Sequence, residues 1–159
     1  MTWDEFVSNV RQWSTDRGIY EHSTAVAQAL KACSEAGELC DAVIKSDREA
    51  MIDAVGDVAV CIVNVAALHN CTLEHDDKSF DECFSIEHAA SRVAVFCARA
   101  AETLAVGEIS DAEIQEALYC LDDFCFFAGL NLLECCESAW NEIKDRKGRM
   151  VAGGAFVKE

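Results

Sequence analysis

Glu35 and Glu38 stand three residues apart, and Asp53 and Asp57 stand four apart. At helical spacing the members of each pair are neighbours, with Cβ atoms roughly 5–6 Å apart. Only Lys45-Ser46-Asp47 reads as a connection between the two stretches. Two helices joined so briefly run antiparallel and adjacent, so the carboxylate pairs can face each other across one groove. Four unneutralised carboxylates repel one another there. A hard divalent cation removes that cost, and oxygen ligands suit magnesium or manganese. Asn64 shares the stripe of Asp53 and Asp57 and is the one strongly polar side chain between Val58 and Leu68. A buried amide needs hydrogen-bond partners, which a ligand or a neighbouring helix can supply. Against this, carboxylates at helical spacing are more often a solvated face, and Asp53 also suits a helix N-terminus. Spacing alone leaves the metal and surface readings level.

The elements that must position these groups are helices. The chain has no proline, and its eight glycines leave long stretches without a breaker. A first amphipathic helix is expected from about Thr2 to Trp13, with Trp3, Phe6, Val7, Val10 and Trp13 on one face, followed by a polar connection from Ser14 to Ser23. Thr24 to Lys45 reads as the second helix. Val26, Leu30, Cys33, Gly37, Cys40 and Ile44 form one stripe, with Gln28, Lys31, Glu35 and Glu38 on the opposite side. The third helix, Arg48 to His69, becomes apolar nearly all round and is expected at the centre. Asn70 to Ser85 reads as a loop. Helices are expected over Ile86 to Leu104, Asp111 to Phe127 and Leu132 to Lys144, and Met150 to Val157 reads as a small hairpin or arm. The fold class is all-α, one helical-bundle domain over residues 1–159.

Composition excludes several alternatives. A net charge of −16 repels nucleic acid and anionic membranes. The longest apolar run is too short to span a bilayer, and the N-terminal residues lack a signal peptide's pattern, so a cytoplasmic protein is expected. The ten cysteines include no C-x-x-C and fall within apolar patterns, so they read as small buried side chains. The thirteen basic residues are uneven, with four of them between Lys144 and Arg149. A helix C-terminus favours cations, which explains one or two of these better than four.

The run Lys31-Ala32-Cys33-Ser34-Glu35-Ala36-Gly37-Glu38-Leu39, then Asp53-Ala54-Val55-Gly56-Asp57-Val58, then Asn64, resembles the MazG family of all-α nucleoside triphosphate pyrophosphohydrolases. That family reads K-x-x-E-E-x-G-E, then E-x-G-D, then an Asn seven residues on. Arg17-Gly18-Ile19 and the stretch Asn141 to Val151 are similar to its short, phage-type members. The likeness covers residues 13–69 and 132–159; the helical segment at about 70–131 is less typical. Two positions depart from the pattern. Ser34 stands where the family has the first Glu of its doublet, and Ala54 stands where it has an acid, with Asp53 one position earlier.

The resemblance implies attack of a metal-activated water on the α-phosphorus of a nucleoside triphosphate, giving a monophosphate and pyrophosphate. The implied metal ligands are Glu35, Glu38, Asp53 and Asp57, holding Mg2+ or Mn2+. Either Glu35 or Glu38 would accept the proton. Lys31, Lys144 and Lys147 would hold phosphate oxygens, and Asn64 and Asn141 substrate hydroxyl or phosphate groups. Trp13, Ile19 and Tyr20 are candidates for the base pocket. The likeness also implies a homo-oligomer, dimer or tetramer, in the host cytoplasm if the chain is phage-encoded, and a preference for (d)GTP.

Rival readings remain distinct. A di-iron carboxylate bundle needs Glu-x-x-His, and none of His22, His69, His75 and His88 has a Glu three residues before it. His75-Asp76 is a lone dyad of the His-Asp phosphohydrolase kind, a weak signal. A catalytically inactive helical protein that binds a metal or partner through its acidic face, or a dUTPase-like specificity, are the alternatives.

Overall fold

The computed structural model of the chain describes residues 1–75, 83–108, 110–154 and 156–158. Short polar residues start most of its helices. Thr2 and Glu5 form a reciprocal capping box at α1 (Trp3–Asp16), and the Thr24 hydroxyl accepts the Ala27 N–H at the start of α3 (Ala25–Lys45). Asp47 does the same for α4 (Arg48–His69) and Asn131 for α7 (Leu132–Ile143). The helices α5 (Ile86–Val106) and α6 (Asp111–Ala128) begin at Ser85 and Ser110 and end at the left-handed glycines Gly107 and Gly129. α1 runs to Asp16, one turn beyond the expected end. The connection after it holds a single helical turn, α2 (Ile19–His22), entered through Gly18 at φ 71°. β1 (Gly148–Met150) and β2 (Phe156–Lys158) form an antiparallel hairpin, with Arg149 opposite Val157.

The fold is all-α, as the periodicity indicates. α4 lies at the centre, packed against α1, α3, α6 and α7, and α3 and α6 both pack against α5. Among the described residues α4 alone is long and apolar enough to cross a membrane, and 67% of that stretch is buried within the bundle. All ten cysteines are free, and each is buried or partly buried, as their apolar settings suggest.

The apolar stripe expected on α3 is not its buried face. Leu30 is 59% exposed and Ile44 82% exposed, while Ala29, Ala32, Ala36, Leu39 and Val43 are buried. α3 is held between α4 and α5 through small side chains. Alanine ranks low on hydrophobicity, yet it lets two backbones approach closely, so hydrophobicity put the stripe one residue out of register. Gln28 and Glu35 lie beside the true face and are buried with it. The expected loop from Asn70 to Ser85 falls partly outside the described residues, as does Asp76 of the His75-Asp76 dyad. His75 instead stands 3.2 Å from an oxygen of Asp122 and stacks on Trp3.

Candidate functional site

One cleft of about 360 Å³ opens between α3, α4, α7 and the hairpin. The two-residue turn Ser46-Asp47, with Ser46 at φ 54°, folds α4 back along α3. Glu35 and Glu38 from α3 and Asp53 and Asp57 from α4 therefore line the same cleft. The geometry expected from their spacing is present. At the departing position, Ala54 is only 4% exposed and belongs to the core, whereas Asp53 lines the cleft. An acid at position 54 would point into the core on this backbone.

A fifth carboxylate, Glu142 of α7, joins them. α7 reaches this position because Gly56 has no side chain: a Cβ there would stand 2.5 Å from the Ala139 Cβ and 2.7 Å from the Cys135 carbonyl oxygen. The end of α7 is then fixed from α1. The Trp13 indole N–H donates to the Ile143 carbonyl at 2.8 Å. Arg17 donates to the carbonyls of Lys144 and Arg146 and lies 4.6 Å from the Trp13 ring centroid. These bonds satisfy carbonyls that a helix C-terminus leaves open. They also hold Arg146 at the cleft, 3.3 Å from Glu142.

The electrostatics report crowding of like charge. Burial pushes the Asp57 carboxyl up to about 6, and the carboxylates of Glu35 and Asp53 push the same way, with Arg146 opposing. Asp53 is also raised, first by burial and then by Glu142, whose carboxyl lies within hydrogen-bonding reach. Lys31 pairs with Glu35 across one helical turn. Burial would lower the Lys31 pKa, but this partner outweighs it and the pKa rises.

Hard oxygen donors drawn from three helices are the right chemistry for magnesium or manganese, and the raised carboxyls of Asp53 and Asp57 are what such a cation would relieve. As the side chains stand, no three metal-binding groups converge into a ready-made cage among the described residues. Binding would require Glu35 to exchange Lys31 for the cation and the carboxylates of the cleft to draw together.

The cleft is also lined by Trp13, Ile19, Asn64 and Phe156. Asn64 is 2% exposed, and the chain itself supplies its partners. Its oxygen accepts the Ser14 hydroxyl at 2.7 Å and the Tyr20 hydroxyl at 2.9 Å, and its amide donates to the Gln28 oxygen at 3.3 Å. The Gln28 amide donates in turn to Ser23. A ligand is therefore not needed to explain the buried amide, although Asn64 still borders the cleft.

Four sequence candidates lie outside the cleft lining: Tyr20, whose hydroxyl donates to Asn64, and three residues at the end of α7. Asn141, Lys144 and Lys147 are exposed and outside the cleft lining, and Lys144 donates to Asn141 on the outer side of α7. Arg146 is the basic residue of that block that faces inward. Sequence reasoning gave no role to Glu142, Arg146 or Phe156. Glu142 was within reach of periodicity, because it precedes Ile143 at the edge of the buried stripe Cys135, Cys136, Ala139 and Ile143. Which helix that edge would meet was not.

No family model matches the chain, and no solved structure matches it. It is similar to the uncharacterized 18.2 kDa protein of the rep–hol intergenic region of Haemophilus phage HP1, with 37% identity over 62 residues. The match covers 39% of this chain and 38% of the relative's length.

Proposed function

We propose that this chain is a metal-dependent nucleoside triphosphate pyrophosphohydrolase, converting a (d)NTP and water to a (d)NMP and pyrophosphate. The observation that carries the reading is the gathering of Glu35, Glu38, Asp53, Asp57 and Glu142 around one cleft that also holds Lys31, Arg146 and an aromatic end. The resemblance of the acidic motifs to the MazG family supports it, and similarity to a phage protein is compatible with a phage-type member.

Bound by Glu35, Glu38, Asp53 and Asp57, a magnesium or manganese ion would neutralise triphosphate charge and ease ionisation of water. The chain's own groups do the rest. Lys31 and Arg146 pair with phosphate oxygens once substrate displaces their carboxylate partners. Glu35 or Glu38 accepts the proton of the attacking water. Water's oxygen bonds to the α-phosphorus, the bond from that phosphorus to the α–β bridging oxygen breaks, and pyrophosphate leaves with the electron pair. Trp13 and Ile19 border the end where the nucleoside would lie. The preference for (d)GTP rests on the resemblance alone, the homo-oligomer on the resemblance first, and the cytoplasmic location on the composition. Exposed Leu30 and Ile44 add a surface suited to a second subunit.

The test is incubation of the protein with each common NTP and dNTP plus magnesium or manganese, beside a Glu38→Gln variant. Monophosphate and pyrophosphate formed only with metal, and lost in the variant, are expected. Absence of cleavage of every triphosphate would sink the reading. A second reading, a helical protein that binds without cleaving, is favoured by one observation: the Lys31–Glu35 pair occupies a carboxylate that catalysis needs.

A further inference from the structure

We propose that the β1–β2 hairpin is the nucleobase wall of this cleft, with the Phe156 ring covering one face or edge of the bound base. The inference rests on the pyrophosphohydrolase reading and assigns the part of the substrate that the carboxylate end does not hold.

Gly153, Gly154 and Phe156 line the same cleft as the five carboxylates, with Phe156 against Trp13. A triphosphate held by Lys31 and Arg146 leaves its nucleoside to the rest of this lining, where Trp13, Ile19 and Phe156 are the large apolar groups. Two contacts fix the hairpin there, and a third, internal to it, sets the Phe156 ring. The Phe156 ring meets the Trp13 ring edge-on, with centroids 5.5 Å apart at 65°. Gly154, at φ 79°, lies so close to α2's end that a Cβ would stand 3.0 Å from the Ser23 Cα. The Phe156 ring also covers Gly148, where a Cβ would stand 2.6 Å from a ring carbon. Two three-residue strands have little stability of their own, so the hairpin depends on this seat and gains from any flat ligand that fills it.

The competing explanation is that Phe156 merely packs on Trp13. The two differ in what they predict. Phenylalanine carries neither donor nor acceptor, so its contact with a base adds affinity without distinguishing one base from another. Identity then falls to polar groups nearby, Gln28 and Asn64 among them. Loss of the ring should weaken all bases alike, and should not affect a ligand that has triphosphate but no base.

The experiment is calorimetric titration, with magnesium, of α,β-methylene analogues of the four dNTPs and of inorganic triphosphate. Wild type, Phe156→Ala and Phe156→Trp are compared, and thermal unfolding shows that each variant is folded. Phe156→Ala should loosen all four analogues by about tenfold, as expected for one aromatic contact. It should keep their rank order and leave inorganic triphosphate unchanged, and Phe156→Trp should restore affinity. Equal binding of the analogues by wild type and Phe156→Ala overturns the hairpin's role and leaves the function intact, as does equal loss for inorganic triphosphate. If wild type binds neither analogues nor inorganic triphosphate, the pyrophosphohydrolase reading itself falls and takes this inference with it.

Discussion

Gly56 of α4 and Ala139 of α7 are in contact so close that a single added methyl at Gly56 would stand 2.5 Å from the Ala139 Cβ. This contact sets how near α7 lies to α4, and so whether Glu142 and Arg146 reach the cleft. Gly56→Ala gains about 1 kcal/mol in helix propensity, but it forces two backbones apart, because the Cys135 carbonyl oxygen would stand only 2.7 Å away. Overpacking of that kind costs about 1–3 kcal/mol or more. The variant is expected to melt several degrees lower and to lose most of the proposed triphosphate cleavage. Gly37→Ala is the control, since nothing lies within 4 Å of a Cβ there; it should be stabilising by about 0.5–1 kcal/mol. Equal melting temperatures for wild type and Gly56→Ala would count against the contact.

Asp57 makes the metal-free protein's stability depend on pH in an unusual direction. Its folded-state pKa of about 6 lies above the ordinary aspartate value of 3.8, so the folded chain binds that proton more tightly than the unfolded chain. This contribution is complete below about pH 4 and is lost as pH rises through about 6. Asp57→Asn should therefore be more stable than wild type at pH 7.5 by on the order of 1–2 kcal/mol, allowing for partial solvation of the carboxyl. The difference should vanish near pH 4. Magnesium or manganese should raise the wild-type melting temperature more at pH 7.5 than at pH 5. Urea unfolding of both proteins across that range is the measurement, and a constant difference would contradict the assignment.

The sequence makes the helices legible because their ends are written in short polar residues and glycines, and the α3–α4 carboxylate groove because its turn is so short. The face that α3 buries is not legible, because alanines fill close contacts that hydrophobicity does not mark. Glu142 and Arg146 escape for another reason. Their position depends on one glycine's fit against a helix some eighty residues away in sequence, and no local spacing reports that. Asn64 is legible as a buried amide, but its partners Ser14, Tyr20 and Gln28 come from three separate elements.

Those partners make Asn64 a sensitive position. Asn64→Ala removes the acceptor shared by the Ser14 and Tyr20 hydroxyls and the donor to Gln28. Leaving buried polar groups unpaired costs about 1–3 kcal/mol. Asn64→Asp keeps the acceptor but sets a carboxylate against the Gln28 oxygen, so it should be no better tolerated. Chemical denaturation should show both losses. Stability unchanged in Asn64→Ala would mean that the network carries no net energy.

Arg17 is the last position whose loss should be felt at a distance. Its guanidinium donates to the carbonyls of Lys144 and Arg146 while lying over Trp13. Lysine has a charge but no planar fork with which to bond two carbonyls and stack at once. Arg17→Lys should therefore fail to restore what Arg17→Ala removes, each costing about 1–2 kcal/mol through the bonds lost. Because those carbonyls hold the backbone of Arg146, both variants should bind triphosphate more weakly, while the helical content seen by circular dichroism stays unchanged. Full affinity in Arg17→Lys would show that charge alone, and not the two-carbonyl clamp, keeps the end of α7 at the cleft.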